Sequence, residues 1–410
     1  MKKGFLLFSG IFIHCLLSAQ SVIQGQVVNK STAEPIAGSS VFISGSSKGT
    51  VTNSTGFFQL ENIPPGKHDL VISSVGYETN VFSFTDTQLP LKLKIELDVK
   101  VKELNNVILE EYTEEGWDKW GTAFMSDFVG TSKNALQCKI KNEKKIRFRY
   151  YKKSNRLVAY ADEPIIIENK ALGYIIRYQL EDYEINFKKH TSSFAGYPLF
   201  KEIDKDRKGL QEKWQRNRLN AYNGSILHFM RSVYDNDLAG QGFEARRMES
   251  IPNIEKARVK RIYISQVVQS NPDNKQLRVQ PPVIDNKDSL SYYQRVMRQP
   301  DFIDVYGQAL LTADSIISTI GPGIKYMEFD NYLFVTYKKG LEEELYSRMQ
   351  LPTRNPSFPR STVTLLNEKI ISVDKNGNYY NPQEFFTSGY WGWNEKICNA
   401  LPIEYTPTGK

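Results

Sequence analysis

Between residues 21 and 98 apolar side chains recur at every second position, in short runs separated by turn-forming clusters. Ile23, Gly25 and Val27 fall on one face of a first run, and Val41 and Ile43 on one face of the next. Phe58 with Leu60, Leu70 with Ile72, and finally Leu91, Leu93, Ile95 and Leu97 continue the series. A period of two places these side chains on one side of an extended backbone, so each run reads as a strand with one buried face. The breaks fall at Pro35 to Gly38, Gly45 to Gly49, Asn53 to Gly56 and Pro64-Pro65-Gly66. Asn and Gly tolerate positive φ, and Pro cannot donate to a ladder, so these clusters turn the chain and stop its strands. Short alternating strands at this spacing predict a two-layer β-sandwich.

Seven features carry a family resemblance: Ile23-x-Gly25-x-Val27, Pro35-Ile36-x-Gly38, Val41-x-Ile43-x-Gly45, Gly49-Thr50-x-Thr52, Gly56-x-Phe58, Ile63-Pro64-x-Gly66 and Val75-Gly76-Tyr77. Together they resemble the carboxypeptidase-regulatory-like domain, a transthyretin-like sandwich. Asn53 and His68 depart from the pattern, standing where Asp and an aromatic residue are common. The resemblance implies a non-catalytic accessory domain of the kind that leads envelope proteins of Bacteroidota, TonB-dependent transporters among them. This chain is too short for a transporter's plug and large barrel. The stretches "KWQRNRLNAYNGSILHFMRSVYDNDLAGQGF" and "GNYYNPQEFFTSGYWGWNEKICNALPIEY" resemble exported Bacteroidota proteins with the same leading sandwich and an uncharacterised C-terminal domain. That likeness implies lineage and compartment, and no activity.

Residues 1–20 read as a cleavable signal peptide: Lys2 and Lys3, an apolar run from Phe5 to Leu17, then small residues at Ser18-Ala19. His14 precedes Cys15 where a lipidation signal needs a small residue, so cleavage and release is expected instead. No later run approaches the roughly 18 apolar residues of a membrane helix, so the mature chain is expected to have no transmembrane span. Without Lys2 and Lys3 the 53 basic residues become 51 against 46 acidic ones, a mild excess of about five positive charges. For an exported chain this favours envelope polyanions over nucleic acid. The mature chain keeps two cysteines, Cys138 and Cys398, which could pair or stay free.

Residues 99–112 read as a connecting segment with a strand at Val107 to Leu109, and 113–410 as an α+β domain of one unit or two. Trp117, Trp120, Phe124 and Phe128 recur at helical spacing and predict a buried helix face. "KIRFRYYKK" alternates between an apolar face (Ile146, Phe148, Tyr150) and a basic one (Lys145, Arg147, Arg149). Between Asp206 and Tyr234 the apolar stripe is helical, and Gly224 with Ser225 as N-cap is expected to split it into two helices. The remainder is expected to be mostly strands, with one short helix near Leu290–Arg298 and a hairpin turn at Asn376-Gly377. The expected fold is an N-terminal all-β seven-stranded transthyretin-like sandwich followed by a β-rich α+β domain.

Little in the chain points to a reaction. The mature histidines, His68, His190 and His228, begin no H-x-x-E, so a zinc carboxypeptidase site is not expected. Gly45-Ser46-Ser47-Lys48-Gly49 fits G-x-S-x-G in form, but strands rather than strand and helix flank it, so Ser47 is read as a loop residue. Asp374 to Asn378 begins like a calcium loop but has Tyr379 where glycine is required. No metal and no cofactor is expected. The candidates for ligand binding are Arg218, Tyr222, His228 and Arg231 on the helical segment, with Ser225 beside them, and Trp391 and Trp393 in the C-terminal aromatic cluster. Against this stand a helix tied to neighbouring strands and an aromatic core. Lys145, Arg147 and Arg149 offer a basic surface for lipopolysaccharide, peptidoglycan or an acidic partner, or a plain solvated face. The expected function is a non-catalytic cell-envelope protein in the periplasm or on the periplasmic face of the outer membrane. There it would bind an outer-membrane barrel, such as a transporter, or the assembly machinery of such barrels. The alternative is an exported hydrolase acting on peptide or glycan.

Overall fold

The computed structural model describes residues 21–100, 110–204, 208–269, 287–321, 323–367 and 370–407. The expected signal peptide and the strand at Val107 to Leu109 lie outside them. The described residues pack into two compact units, one drawn from 1–221 with 396–410 and the other from 222–395. The segment 113–410 is thus divided between them, and its end returns to the first unit.

The alternating N-terminal runs become β1 (Val22–Asn29), β2 (Ser40–Ile43), β3 (Gly49–Val51), β4 (Phe57–Glu61), β5 (Lys67–Ser73), β6 (Asn80–Thr85) and β7 (Leu91–Leu97). They form two sheets, ordered β4-β1-β7 and β3-β2-β5-β6. Ile23, Val27, Phe58 and Ile95 of the first sheet share one core with Val41, Ile43, Leu70 and Ile72 of the second, which makes the domain a sandwich. Asn53 closes its turn by accepting from the N–H groups of Thr55 and Phe57 at 3.0 and 2.9 Å.

The first unit also holds a larger sheet. Its strands are β8 (Tyr112–Glu115), β9 (Cys138–Ile140), β10 (Ile146–Tyr151), β11 (Arg156–Ala161), β12 (Ile165–Asn169), β13 (Tyr174–Asn186) and β14 (Thr191–Glu202). They run in the order β8-β10-β11-β13-β12-β9, with β14 paired to β13. Helix α1 (Trp117–Phe124) continues through a wider turn to Val129 and packs fully buried Phe124 and Phe128 on this sheet. The sandwich is built into the unit through its β2–β3 loop. The N–H of Gly45 donates to Pro198 at 2.7 Å, that of Phe200 to Ser46 at 2.9 Å, and that of Ile403 to Gly45 at 2.8 Å. The Ile403 side chain enters the sandwich core. Helix α2 (Lys208–Tyr222) follows β14.

In the second unit, α3 (Ile226–Tyr234) and α4 (Leu238–Gln241) precede β15 (Phe243–Pro252), α5 (Ile254–Gln269), α6 (Lys287–Met297) and β16 (Phe302–Tyr306). Then come β17 (Ile317–Gly321), β18 (Ile324–Glu328), β19 (Tyr332–Tyr337), α7 (Glu344–Gln350), β20 (Arg360–Leu365), β21 (Ile370–Asp374), β22 (Tyr379–Tyr380), β23 (Phe385–Gly389) and α8 (Tyr390–Asn394). Two antiparallel sheets, β16-β15-β19-β20-β23 and β17-β18-β21-β22, share one core with α3. The helix break falls as the residues dictate: Gly224 takes φ +79°, and the Ser225 hydroxyl accepts from the His228 N–H at 3.1 Å. Four further helices correct the expectation that the remainder holds one short helix. Besides α6, helices α4, α5, α7 and α8 form, and Val259 of α5 and Val296 of α6 are buried. Among the described residues no helix is long and apolar enough to cross a membrane.

Candidate functional site

The first unit carries an open cleft of about 290 Å³, and α2 supplies Gln215 and Arg218 to its lining. The β12–β13 turn presents three consecutive carbonyls, and three side chains of α2 take them in order. Trp214 Nε1 donates to Lys170 at 3.0 Å, Asn217 Nδ2 to Ala171 at 2.8 Å and Arg218 Nε to Leu172 at 2.8 Å. The spacing i, i+3, i+4 puts the three on one helix face. Gly173 makes this docking possible. It sits at φ +73°, and the Trp214 ring occupies the place a Cβ would need.

Arg218 is thereby held with only 12% of its side chain exposed. Its guanidinium lies 4.0 Å from the Tyr174 ring centroid, and Nη1 donates to Glu202 at 2.7 Å. Burial pushes the Tyr174 phenol up from its ordinary range, so it stays protonated at any physiological pH. Opposite, the C-terminal segment contributes Glu404, whose Oε1 accepts from the Ser47 N–H at 2.5 Å. Its Oε2 is buried and has no hydrogen-bond partner among the described residues. Gln215, Tyr405 and Thr406 complete the rim. Aromatic surface, one paired cation and an under-satisfied carboxylate suit the cleft to binding a polar group.

The other expected candidates lie elsewhere. Tyr222, His228 and Arg231 do come together, but in the second unit and as structure. The His228 ring is buried and stacks on Tyr222 at 4.6 Å. Its Nδ1 receives the Gly224 N–H at 3.2 Å, and Nε2 meets Gln241 Oε1 at 3.3 Å, which fixes a neutral ring with the proton on Nε2. Arg231 Nε donates to the Asn376 carbonyl at 2.9 Å. Trp391 is 2% exposed and lies in the core against Phe229, with ring centroids 5.2 Å apart. Trp393 is half-buried between Tyr346 and Tyr390, at 5.4 and 5.7 Å. On the basic strand, Lys145 pairs with Glu163 at 2.7 Å, Arg147 is exposed, and Arg149 lies over the Tyr112 and Tyr160 rings. Only part of that face is therefore open to a partner.

Asp374 is fully buried and accepts from the N–H groups of Asn376 and Asn378 at 2.8 and 3.1 Å, so the calcium-like stretch is a hairpin turn. Among the described residues no three of His, Cys, Asp and Glu converge as a metal-ligand set. Among the described residues Cys138 and Cys398 form no disulfide. Two titratable groups escaped the sequence reading. Burial pushes the Glu395 carboxyl up to about 7, against the opposing pull of the Ile226 N–H and the Asn394 amide. Tyr379 is pushed up to about 12, by burial and then by Glu395. No motif flags either residue.

No curated protein matches the chain. Among solved structures, two chains from interface mutants of the type II cohesin–X-dockerin complex of Acetivibrio cellulolyticus are 26% identical. They match 19% and 18% of this chain and 57% and 51% of their own, at TM-scores of 0.17 and 0.15. The match thus spans little more than half of those chains. A protein of unknown function from Bacteroides fragilis NCTC 9343 is 9% identical over 88% of this chain and 99% of its own, at a TM-score of 0.16. At these TM-scores none of the three supports an inference of fold or function. Residues 23–109 match the CarboxypepD_reg-like domain family, and the N-terminal sandwich of this chain is therefore a CarboxypepD_reg-like domain.

Proposed function

We propose that the protein is a non-catalytic cell-envelope protein that binds a partner at the periplasmic side of the outer membrane, as an accessory of a barrel transporter or of barrel assembly. On this reading residues 1–20 direct export and are removed, and the sandwich, read as transthyretin-like, works as part of the binding body. The observation that most supports it is the cleft at Arg218. Its guanidinium is held by a carbonyl, a carboxylate and an aromatic face, which fixes it in place at the cleft wall. Such a constellation suits holding a polar group of a partner in place.

Cross-linking in intact cells, followed by purification of the tagged full chain from membrane extract, tests the reading. A stoichiometric outer-membrane barrel protein in the cross-linked product is the expected result. Recovery of the chain alone from the soluble periplasm would overturn it. The alternative, an exported hydrolase on peptide or glycan, has one observation in its favour: the Glu395 carboxyl, pushed up to about 7, is tuned as a general acid would be. Turnover of peptidoglycan fragments that is lost in Glu395→Gln would establish it.

A further inference from the structure

We propose that β16 is an acceptor edge that binds an extended strand of another polypeptide, one with a Lys or Arg flanked on both sides by apolar residues. Among the described residues β16 is the outer strand of its sheet and pairs only with β15, in unbroken register from Met248 opposite Tyr306 to Pro252 opposite Phe302. The flanking bonds set the direction of its main-chain groups. Gly307 N–H donates to Arg247, and Asn253 N–H donates to Asp301, at 2.8 Å each. In an antiparallel pair bonded residues alternate, so Ile303 and Val305 bond inward to β15. Phe302, Asp304 and Tyr306 therefore turn their N–H and C=O groups to the open edge.

The side chains of this edge are unusual for an uncovered one. All five residues are exposed, with Phe302 at 56%, Ile303 at 43%, Val305 at 46% and Tyr306 at 47%. Soluble proteins blunt such edges with lysine, proline or a bulge, and β16 has none of these. Its one charge is Asp304, at the centre, which makes no ion pair or side-chain hydrogen bond among the described residues.

That charge selects the occupant. A second copy pairing over the full strand would place Asp304 directly opposite Asp304, with both carboxylates on one face, which is destabilising. Shifting by two residues avoids the clash but gives up part of the short overlap. A foreign strand with a cation opposite Asp304 keeps the whole overlap. It also pairs the charge and covers Phe302 and Tyr306 on one face and Ile303 and Val305 on the other. The proposal depends on neither the cleft nor the compartment.

The probe is a blocked, fluorescent peptide with the core Val-Tyr-Lys-Val-Val between polar flanks, titrated against the full chain by anisotropy. It should bind saturably, and the same peptide with Glu for Lys should bind roughly tenfold more weakly. Asp304→Lys should reverse that preference. Asp304→Pro removes an outward N–H without touching the β15 ladder, so it should abolish binding while the melting temperature holds. No binding of the Lys peptide, equal binding of both peptides, or no reversal in Asp304→Lys would overturn the proposal. So would a dimer of the unmodified chain in sedimentation that Asp304→Pro dissolves, because the edge would then belong to a second copy.

Discussion

The indole N–H of Trp391 donates to the carbonyl of Gly224 across 2.8 Å, joining the C-terminal aromatic cluster to the break between α2 and α3. Gly224 sits at φ +79° and belongs to no regular ladder, so its carbonyl needs a partner from outside the helix. The ring that supplies the bond also fills the core beside Phe229. One residue thus packs the second unit and satisfies a buried acceptor.

Trp391→Ala should cost about 3–5 kcal/mol, from the cavity and the orphaned carbonyl together. Trp391→Phe keeps most of the packing and should lose only the bond, about 1–3 kcal/mol. Urea unfolding separates the two. An unchanged midpoint in Trp391→Ala would exclude the core role and return the residue to the list of ligand contacts.

Ile403 tests whether the C-terminal segment is part of the sandwich. Its side chain is 9% exposed in that core, and its N–H reaches Gly45 from far along the chain. Ile403→Ala should lower stability by about 2–4 kcal/mol. Hydrogen exchange should show the added opening in β2 and β5, which line the same core. Faster exchange confined to residues 400–407 would mean the segment merely rests on the sandwich.

The two bonds of Arg218 should differ in worth. Glu202 is 65% exposed at the side chain, and such ion pairs contribute about 0–1 kcal/mol, so Glu202→Gln should be nearly silent. The bond to the Leu172 carbonyl and the stack on Tyr174 are shielded, and a lysine can reproduce neither the fork nor the plane. Arg218→Lys should cost about 1–2 kcal/mol. If Glu202→Gln proves the costlier change, the cleft is held by the ion pair and not by the docking of α2.

What was legible in the sequence was local. The sandwich shows because a period of two and its turn residues lie within a few positions of each other, and the α2–α3 break shows because Gly224 and Ser225 stand side by side. Helix α5 was missed because its run "RIYISQVVQ" is rich in β-branched residues, which read as strand. Val259 is buried in α5, and Lys256 and Glu255 reach Gln299 and Tyr292 at or beyond α6. Tertiary packing thus overrides that propensity. Arg218 stood out as a cation on a helix, but its partners come from positions 172, 174 and 202, and the cleft's other wall from 404. No spacing along the chain could have assembled them. Glu395 has the same character, since its environment is made by residues distant in sequence.

Glu395 gives the last prediction its sign. Its carboxyl is raised from an ordinary 4.5 to about 7, chiefly by burial. Between those values the folded protein holds a proton that the unfolded chain has released, so the folded state binds more protons. Stability must then fall as pH rises from about 4.5 to 7, and the loss should be complete above that range. Glu395→Gln keeps an oxygen for the Ile226 N–H and carries no charge. At pH 8 the variant should therefore melt above the unmodified protein, and at pH 4 the two should coincide. Thermal melts across this range, taken as the difference between the proteins, cancel every other titrating group. Parallel profiles would show that Glu395 is ionised in water like a surface carboxylate. The one observation favouring acid catalysis would fall with it.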